Sequence, residues 1–269
     1  MKLLNGSELA GFIKERQAHQ VRGLIHADGI QPKLAIIVCT DNPVIATYVA
    51  LKQKYGADIQ AEVEVHKIDQ SKAVELIKTL NTDSNVHGII VQLPLPDPQQ
   101  TDEIVNTVAP QKDVDALGAN AMLDPATPLA IMWLLAGYNI DVQKKAVALV
   151  GQGRLVGAPL KKLMELSDVQ PQIVDEHTER PEDILLHSEV IITAVGKPGI
   201  ISSSMLPDGV VVVDAAVASE NGELKGDLAD DVYERDDIAV TPRKGGVGPL
   251  TVCALFDNLI RAVRLQNEL

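Results

Sequence analysis

Residues 88–96 read Gly-Ile-Ile-Val-Gln-Leu-Pro-Leu-Pro, and they leave the chain little choice of fold. Positions 89–91 are apolar and β-branched throughout. That is the pattern of a strand covered on both faces, and such strands belong to parallel sheets flanked by helices. Gln92 closes the run with a polar amide, and Pro94 and Pro96 forbid further pairing. Open α/β sheets bind ligands at the carboxyl ends of their strands, so Gln92 stands at the rim of a candidate site.

The neighbouring segments keep the rhythm. Residues 7–25 carry Leu9, Phe12, Ile13, Val21 and Leu24 at helical spacing behind Ser7, a possible N-cap. A strand is expected at 34–38. Asn42-Pro43 then offers cap and first-turn proline for a helix to about Tyr55. Strand 61–68, helix 73–80, strand 88–92 and helix 101–108 follow. Pro110, Gly118, Pro125 and Pro128 punctuate a break at 110–128, before a helix over 130–137. A second α/β set opens at 146–150, with strands near 173–174, 190–195, 210–214 and 238–240, and a closing helix over 250–265. Strands alternating with helices imply βαβ units, an α/β class and a mostly parallel sheet.

With 269 residues, the chain has room for two modest domains or one large one. Hydrophobic residues make up 46%, enough for a substantial core. The net charge of −13 argues against nucleic-acid or anionic-membrane partners, and 3% aromatics argue against stacking on bases. Cys39 and Cys253 form neither a disulfide framework nor a zinc site, and no metal is expected. The polar start and the short longest apolar stretch, 130–137, suggest neither a signal peptide nor a membrane span. The expectation is a soluble, cytoplasmic protein.

Residues 151–157, Gly-Gln-Gly-Arg-Leu-Val-Gly, follow an apolar strand and open a helix. That is the setting of a dinucleotide turn, where glycines admit the pyrophosphate and the helix N-terminus offers amides and a positive dipole. The spacing is GxGxxxG rather than GxGxxG, so a ligand-free strand–helix connection stays open. Gly151, Gln152, Gly153, Arg154, Val156 and Gly157 are the candidate cofactor residues. Asp175 lies 24 residues beyond Gly151, just after the second strand of the set. An acid there accepts hydrogen bonds from the adenine ribose and repels a 2′-phosphate, which favours NAD over NADP. An ordinary surface acid is the alternative.

Tyr48 and Lys52 are four residues apart on one helix face, near Ile45 and Val49. A lysine drawn into apolar surroundings is poised for proton transfer. A lysine that merely snorkels past a core tyrosine would look the same in sequence. The Tyr-x-x-x-Lys spacing resembles short-chain dehydrogenases, but there the glycine turn precedes the pair, and here it follows. Asp115, in Lys112-Asp-Val-Asp115, can project from the break into a cleft or simply make a turn. Gly245-Gly246-Val-Gly-Pro249 permits close backbone approach or acts as a hinge, beside the basic pair Arg243-Lys244.

Taken in order, Tyr48-Val-Ala-Leu-Lys52, Gly88 to Pro96, Lys112 to Asp115, Pro125-Ala-Thr-Pro128, Val156-Gly157-Ala-Pro159, Val195-Gly-Lys-Pro-Gly199 and Gly245 to Thr251 resemble the bifunctional methylenetetrahydrofolate dehydrogenase/cyclohydrolase family. The resemblance spans nearly the whole chain. It implies two α/β domains with the folate site in the cleft. Residues 1–120 plus 250–269 would form the catalytic, folate-binding domain, and 140–245 the Rossmann-type NAD(P) domain. It implies a homodimer that oxidises 5,10-methylenetetrahydrofolate with NAD(P) and hydrolyses the methenyl product to 10-formyltetrahydrofolate. Lys52 would move the proton and help activate water, Gln92 would hold and tune it, and Tyr48 would pack by the pterin. Asp115 would grip the pterin amino edge, and Gly245, Gly246 and Pro249 would shape the cleft floor.

The chain departs from that family in two places. The segment after Asp115 is shorter than usual, and Ala116-Leu117-Gly118-Ala119 replaces Gly-Phe-His-Pro. The turn that commonly reads Gly-Arg-Ser reads Gly151-Gln152-Gly153, which removes a partner for the NADP phosphate. These residues favour NAD while the family favours NADP, and Arg154 could compensate. A monofunctional dehydrogenase and a non-catalytic folate- or nucleotide-binding protein are the alternative readings.

Overall fold

The computed structural model describes residues 1–216, 218–220 and 223–269. The elements are β1 (Lys2–Leu3), α1 (Gly6–Ala27), β2 (Lys33–Val38), α2 (Pro43–Ile59), β3 (Glu62–Lys67), α3 (Ala73–Thr82), β4 (Gly88–Val91) and α4 (Thr101–Asn106). There follow α5 (Ala126–Gly137), β5 (Val147–Val150), α6 (Gly157–Glu165), β6 (Gln172–Val174), α7 (Pro181–Leu186), β7 (Val190–Thr193) and β8 (Val211–Asp214). A short antiparallel pair, β9 (Ala218–Glu220) and β10 (Glu223–Lys225), precedes β11 (Ala239–Val240) and α8 (Val247–Asn267). The chain divides into two compact units, Met1–Ala10 with Thr127–Thr251 and Gly11–Ala126 with Val252–Leu269.

In the unit built on residues 11–126 and 252–269, β2 is the middle of a parallel sheet ordered β3-β2-β4. Ile36 pairs with Val65 on one side and Ile90 on the other. The β-branched runs behave as their composition requires: β4 is buried at all four positions. Ile37, Ile89, Ile77 of α3 and Ile104 of α4 share one core, and each such side chain contributes about 1.5–3 kcal/mol by leaving water. α2 starts where Asn42-Pro43 dictates, with Asn42 Oδ1 accepting the Val44 N–H at 2.8 Å. It stops at Gln60, whose φ of 67° is left-handed.

The other unit holds a six-stranded sheet ordered β1-β11-β8-β7-β5-β6, with every pairing parallel. β5 lies between β6 and β7, so the chain leaves it in opposite directions along the sheet. Doubly wound sheets bind ligands at such a switch point, beside the carboxyl ends of the strands. Ala148, Val150, Ile191, Val212 and Val240 lie in the core of this sheet.

Several elements differ from expectation. Residues 1–10, assigned above to the catalytic domain, cluster with the six-stranded sheet because Lys2 and Leu3 pair with Ala239 and Val240. Asn5 caps α1 in place of Ser7, its Oδ1 accepting the Ser7 and Glu8 amides. Phe12 lies off the buried stripe and is 68% exposed, whereas Gln17, on the stripe, is fully buried. Gln17 is satisfied there, donating to the Cys253 carbonyl at 2.8 Å and accepting from Tyr55 Oη at 2.7 Å. α5 and α8 begin earlier than expected, at Ala126 and Val247, because a proline in the first turn removes no helical hydrogen bond.

Candidate functional site

Lys52 lies in α2, one turn after Tyr48, on the face between buried Val49 and Ile45 and the sheet's carboxyl end. β4 delivers Gln92 to that end, with the Gln92 N–H bonded to the Ile37 carbonyl at 2.9 Å. The two side chains meet: Lys52 Nζ donates to Gln92 Oε1 at 2.7 Å. The Gln92 amide nitrogen donates in turn to the Leu93 carbonyl at 3.2 Å, which fixes its oxygen toward the lysine. The following Leu93–Pro94 peptide is cis.

Asp115 completes the group. Burial lowers the Lys52 pKa below its ordinary value, and the Asp115 carboxylate opposes that shift. Burial raises the Asp115 pKa, and the Lys52 charge opposes it. Each group thus sits in the other's field, in surroundings that disfavour both charges. Burial also raises the pKa of the Tyr48 hydroxyl, so it stays a neutral hydrogen-bonding group. An amine whose burial favours its neutral form, held by an amide and flanked by a carboxyl, can take a proton from water and return it.

In the six-stranded unit, the glycine turn joins β5 to α6 as the spacing suggested. Gly151 has φ +93°. A Cβ on Gly157 would lie 2.1 Å from the Gly151 carbonyl oxygen, so the helix meets the strand only through glycine. A Cβ on Gly153 would meet only the Ala194 oxygen, at 3.9 Å, leaving open space over the turn. Gln152 turns back, its amide donating to the Gly151 carbonyl at 3.0 Å. Arg154 is exposed and Val156 precedes the helix as its cap residue. This cradle, at the switch point and at a helix N-terminus, fits a dinucleotide pyrophosphate. Asp175 follows β6 directly and is exposed, and its Oδ1 accepts the His177 amide and the Thr178 hydroxyl.

Gly245, Gly246 and Pro249 belong to the six-stranded unit, not to the unit of Lys52. Gly245 has φ +85°, and its carbonyl accepts the Ser7 N–H at 3.0 Å. The Gly246 carbonyl would lie 1.9 Å from a Cβ on Gly6, so this loop packs backbone to backbone on the start of α1. Arg243 is committed, paired with Asp230 at 2.6 Å and stacked over Tyr233.

Sequence reasoning missed Asp227. It is fully buried and accepts from Thr193 Oγ1 at 2.5 Å and from the amides of Val195, Gly196 and Lys197, each at 2.8 Å. One carboxylate therefore fixes the loop leaving β7, next to Gly151. In sequence it is one acid among many, and only its position after Gly226 hinted at a structural task. Among the described residues, no group of three or more His, Cys, Asp or Glu could hold a metal ion. Among them also, no helix is long and apolar enough to cross a membrane.

Residues 4–115 match the tetrahydrofolate dehydrogenase/cyclohydrolase catalytic domain, and residues 125–267 match the NAD(P)-binding domain of the same enzymes. The chain is 34% identical to the bifunctional protein FolD of Helicobacter hepaticus, covering all of this chain and 98% of that one. Its fold matches the bifunctional FolD of Campylobacter jejuni with a TM-score of 0.92, at 31% identity over the whole of both chains. A Trypanosoma brucei methylenetetrahydrofolate dehydrogenase-cyclohydrolase, solved with NADP and an inhibitor, matches with a TM-score of 0.91 at 26% identity, over 99% of this chain and 98% of that one.

Proposed function

Since this chain belongs to the tetrahydrofolate dehydrogenase/cyclohydrolase family, we propose that it oxidises 5,10-methylenetetrahydrofolate with a nicotinamide cofactor and hydrolyses the methenyl product to 10-formyltetrahydrofolate. The observation that carries the reading is the 2.7 Å bond between Lys52 Nζ and Gln92 Oε1, beside the charge of Asp115.

The nicotinamide cofactor supplies the hydride acceptor. Residues 151–157 cradle its phosphates, and Asp227 keeps the adjoining loop in place. Lys52 acts in the hydrolysis. Its neutral amine takes a proton from water as the oxygen bonds to the methenyl carbon. The ammonium so formed returns that proton to N5 as the carbon–N5 bond breaks. The hydroxyl proton leaves to solvent as the formyl carbonyl forms, so one proton is released per turnover. Gln92 holds the amine in line through its oxygen. Asp115 binds the pterin amino edge by charge-assisted hydrogen bonds, and Tyr48 packs beside the ring. Gly245, Gly246 and Pro249 give the substrate close backbone approach. Residues 11–126 with 252–269 are the folate-binding part, and the six-stranded unit is the cofactor part.

NAD is the preferred cofactor in this reading. Gln152 stands where the family commonly carries arginine, and Asp175 and Glu176, both exposed, meet a 2′-phosphate with like charge. A coupled assay with both cofactors tests activity and preference together. Methylenetetrahydrofolate should reduce NAD without build-up of the methenyl chromophore, with kcat/KM at least about tenfold above that for NADP. Asp175→Ser with Gln152→Arg should move the ratio about ten- to hundredfold toward NADP, the worth of one charged hydrogen bond. Methenyl accumulation in step with reduced cofactor would confine the chain to dehydrogenation, and no reduction at all would leave only binding. Higher wild-type efficiency with NADP would reverse the preference. The family resemblance also supports a homodimer in the cytoplasm, and sedimentation at the mass of a single chain would refute the dimer.

A further inference from the structure

Asp113 is 4% exposed and has no part in the chemistry above. The backbone around it is tightly held. Ile89 donates to the Lys112 carbonyl at 2.7 Å, Asn258 donates to the Val114 carbonyl at 2.9 Å, and Lys112 Nζ donates to the Leu80 and Asp83 carbonyls. Residues 112–114 are therefore fixed to the edge of β4. The direction in which the chain then leaves, and with it the aim of Asp115, depends on Ala116. That residue has φ +54°, in the left-handed region where a Cβ is penalised. The Asp113 carboxylate gathers the turn that results. Its Oδ2 accepts the Gly118 N–H at 2.8 Å, closing the turn across Ala116, whose own N–H donates to the Asp113 backbone carbonyl at 3.3 Å. Asn106 Oδ1 takes the next amide, that of Ala119, at 2.7 Å.

We propose that Asp113 is a positioning residue: its carboxylate holds Ala116 in the left-handed conformation and so aims Asp115 at the Lys52 site. The substrate side of this statement rests on the folate reading; the aim of Asp115 does not. An asparagine offers the Gly118 N–H a neutral acceptor in place of a carboxylate, so that bond weakens and the turn loosens. Glycine at 116 removes the Cβ penalty, so the same turn no longer needs holding.

The test compares wild type, Asp113→Asn, Ala116→Gly and the double variant by two readouts. One is KM and kcat for methylenetetrahydrofolate. The other, with no folate present, is the titration of Lys52 followed by NMR of ¹³C-methylated lysines. Asp113→Asn should raise the folate KM about tenfold, as loss of one charged hydrogen bond would, leave the cofactor KM unchanged, and lower the Lys52 pKa as Asp115 drifts away. Adding Ala116→Gly should restore most of both, which a lost charge alone would not allow. An unchanged folate KM in Asp113→Asn, or a double variant no better than the single one, overturns the proposal. Should Asp113→Asn fail to fold, Ala116→Val, which keeps the carboxylate but makes the left-handed conformation costlier, must reproduce the same two shifts; wild-type values there also overturn it. If the wild-type enzyme ignores folate, the Lys52 titrations still decide the matter, so the two failures are separable.

Discussion

Lys52→Met is expected to cut hydrolysis of methenyltetrahydrofolate by about 10²–10⁴-fold, the usual worth of a positioned acid–base group. Methionine keeps most of the stem volume, so α2 should pack as before. The variant loses a half-buried ammonium, which was costly, and leaves Gln92 Oε1 without its donor, at about 1–3 kcal/mol. The two effects oppose each other, so melting should shift little while activity collapses. A fall below about threefold, with a normal melting curve, would remove Lys52 from the chemistry. The wild-type rate carries a second signature. Only the neutral amine can take a proton, so activity falls as pH drops through the Lys52 pKa. Burial has moved that pKa below the ordinary lysine value, so the acid limb lies on the low side of it. Gln92→Glu puts a carboxylate on the ammonium at the present 2.7 Å contact, raises the pKa again, and should move the limb to higher pH.

Gly157→Ala is expected to raise the cofactor KM by more than about a hundredfold, or to abolish binding. The added methyl would sit 2.1 Å from the Gly151 oxygen, 2.8 Å from its carbonyl carbon and 3.0 Å from Gln152 Cα. All three are backbone atoms, so relief requires moving β5 or the start of α6, at about 1–3 kcal/mol for overpacking. Moving either displaces the amides proposed to meet the pyrophosphate. Titration of NADH fluorescence measures the loss, and folate-independent thermal unfolding checks that the sheet persists. Binding within threefold of wild type would show that the turn is not where the cofactor lies. Gly153→Ala is the control: with 3.9 Å to its nearest neighbour, it should leave the turn intact and disturb only a ligand above it.

The legible parts of this fold were those where one residue type suffices to impose a conformation. The apolar runs at 89–91 and 147–150 became strands buried throughout. Asn42-Pro43 started a helix because cap and fixed φ act locally. The local signals put an amine on a helix face and an amide at a strand end; that Lys52 and Gln92 meet was implied only by the family resemblance. What could not be read depended on distant partners. Two residues, Lys2 and Leu3, carry no periodicity, and only β11 makes them a strand. Pro128 and Pro249 look like breaks until their place in a first turn is known. Asp227 looks like surface acid until Thr193 and three amides close on it. Ala116 gives no sign of a left-handed backbone, since its Cβ is penalised there and nothing local offsets the penalty.

The way the two units divide the chain bears on how it can be made. Lys2 and Leu3 find their sheet only at residues 239–240, and the segment that follows α4 is tied down only when Asn258 reaches the carbonyls of Val114 and Asp124. Each unit therefore waits for chain that lies beyond residue 238 before its contacts are complete. Nascent polypeptide must carry the unpaired edge of β8 until residues 239–240 have emerged.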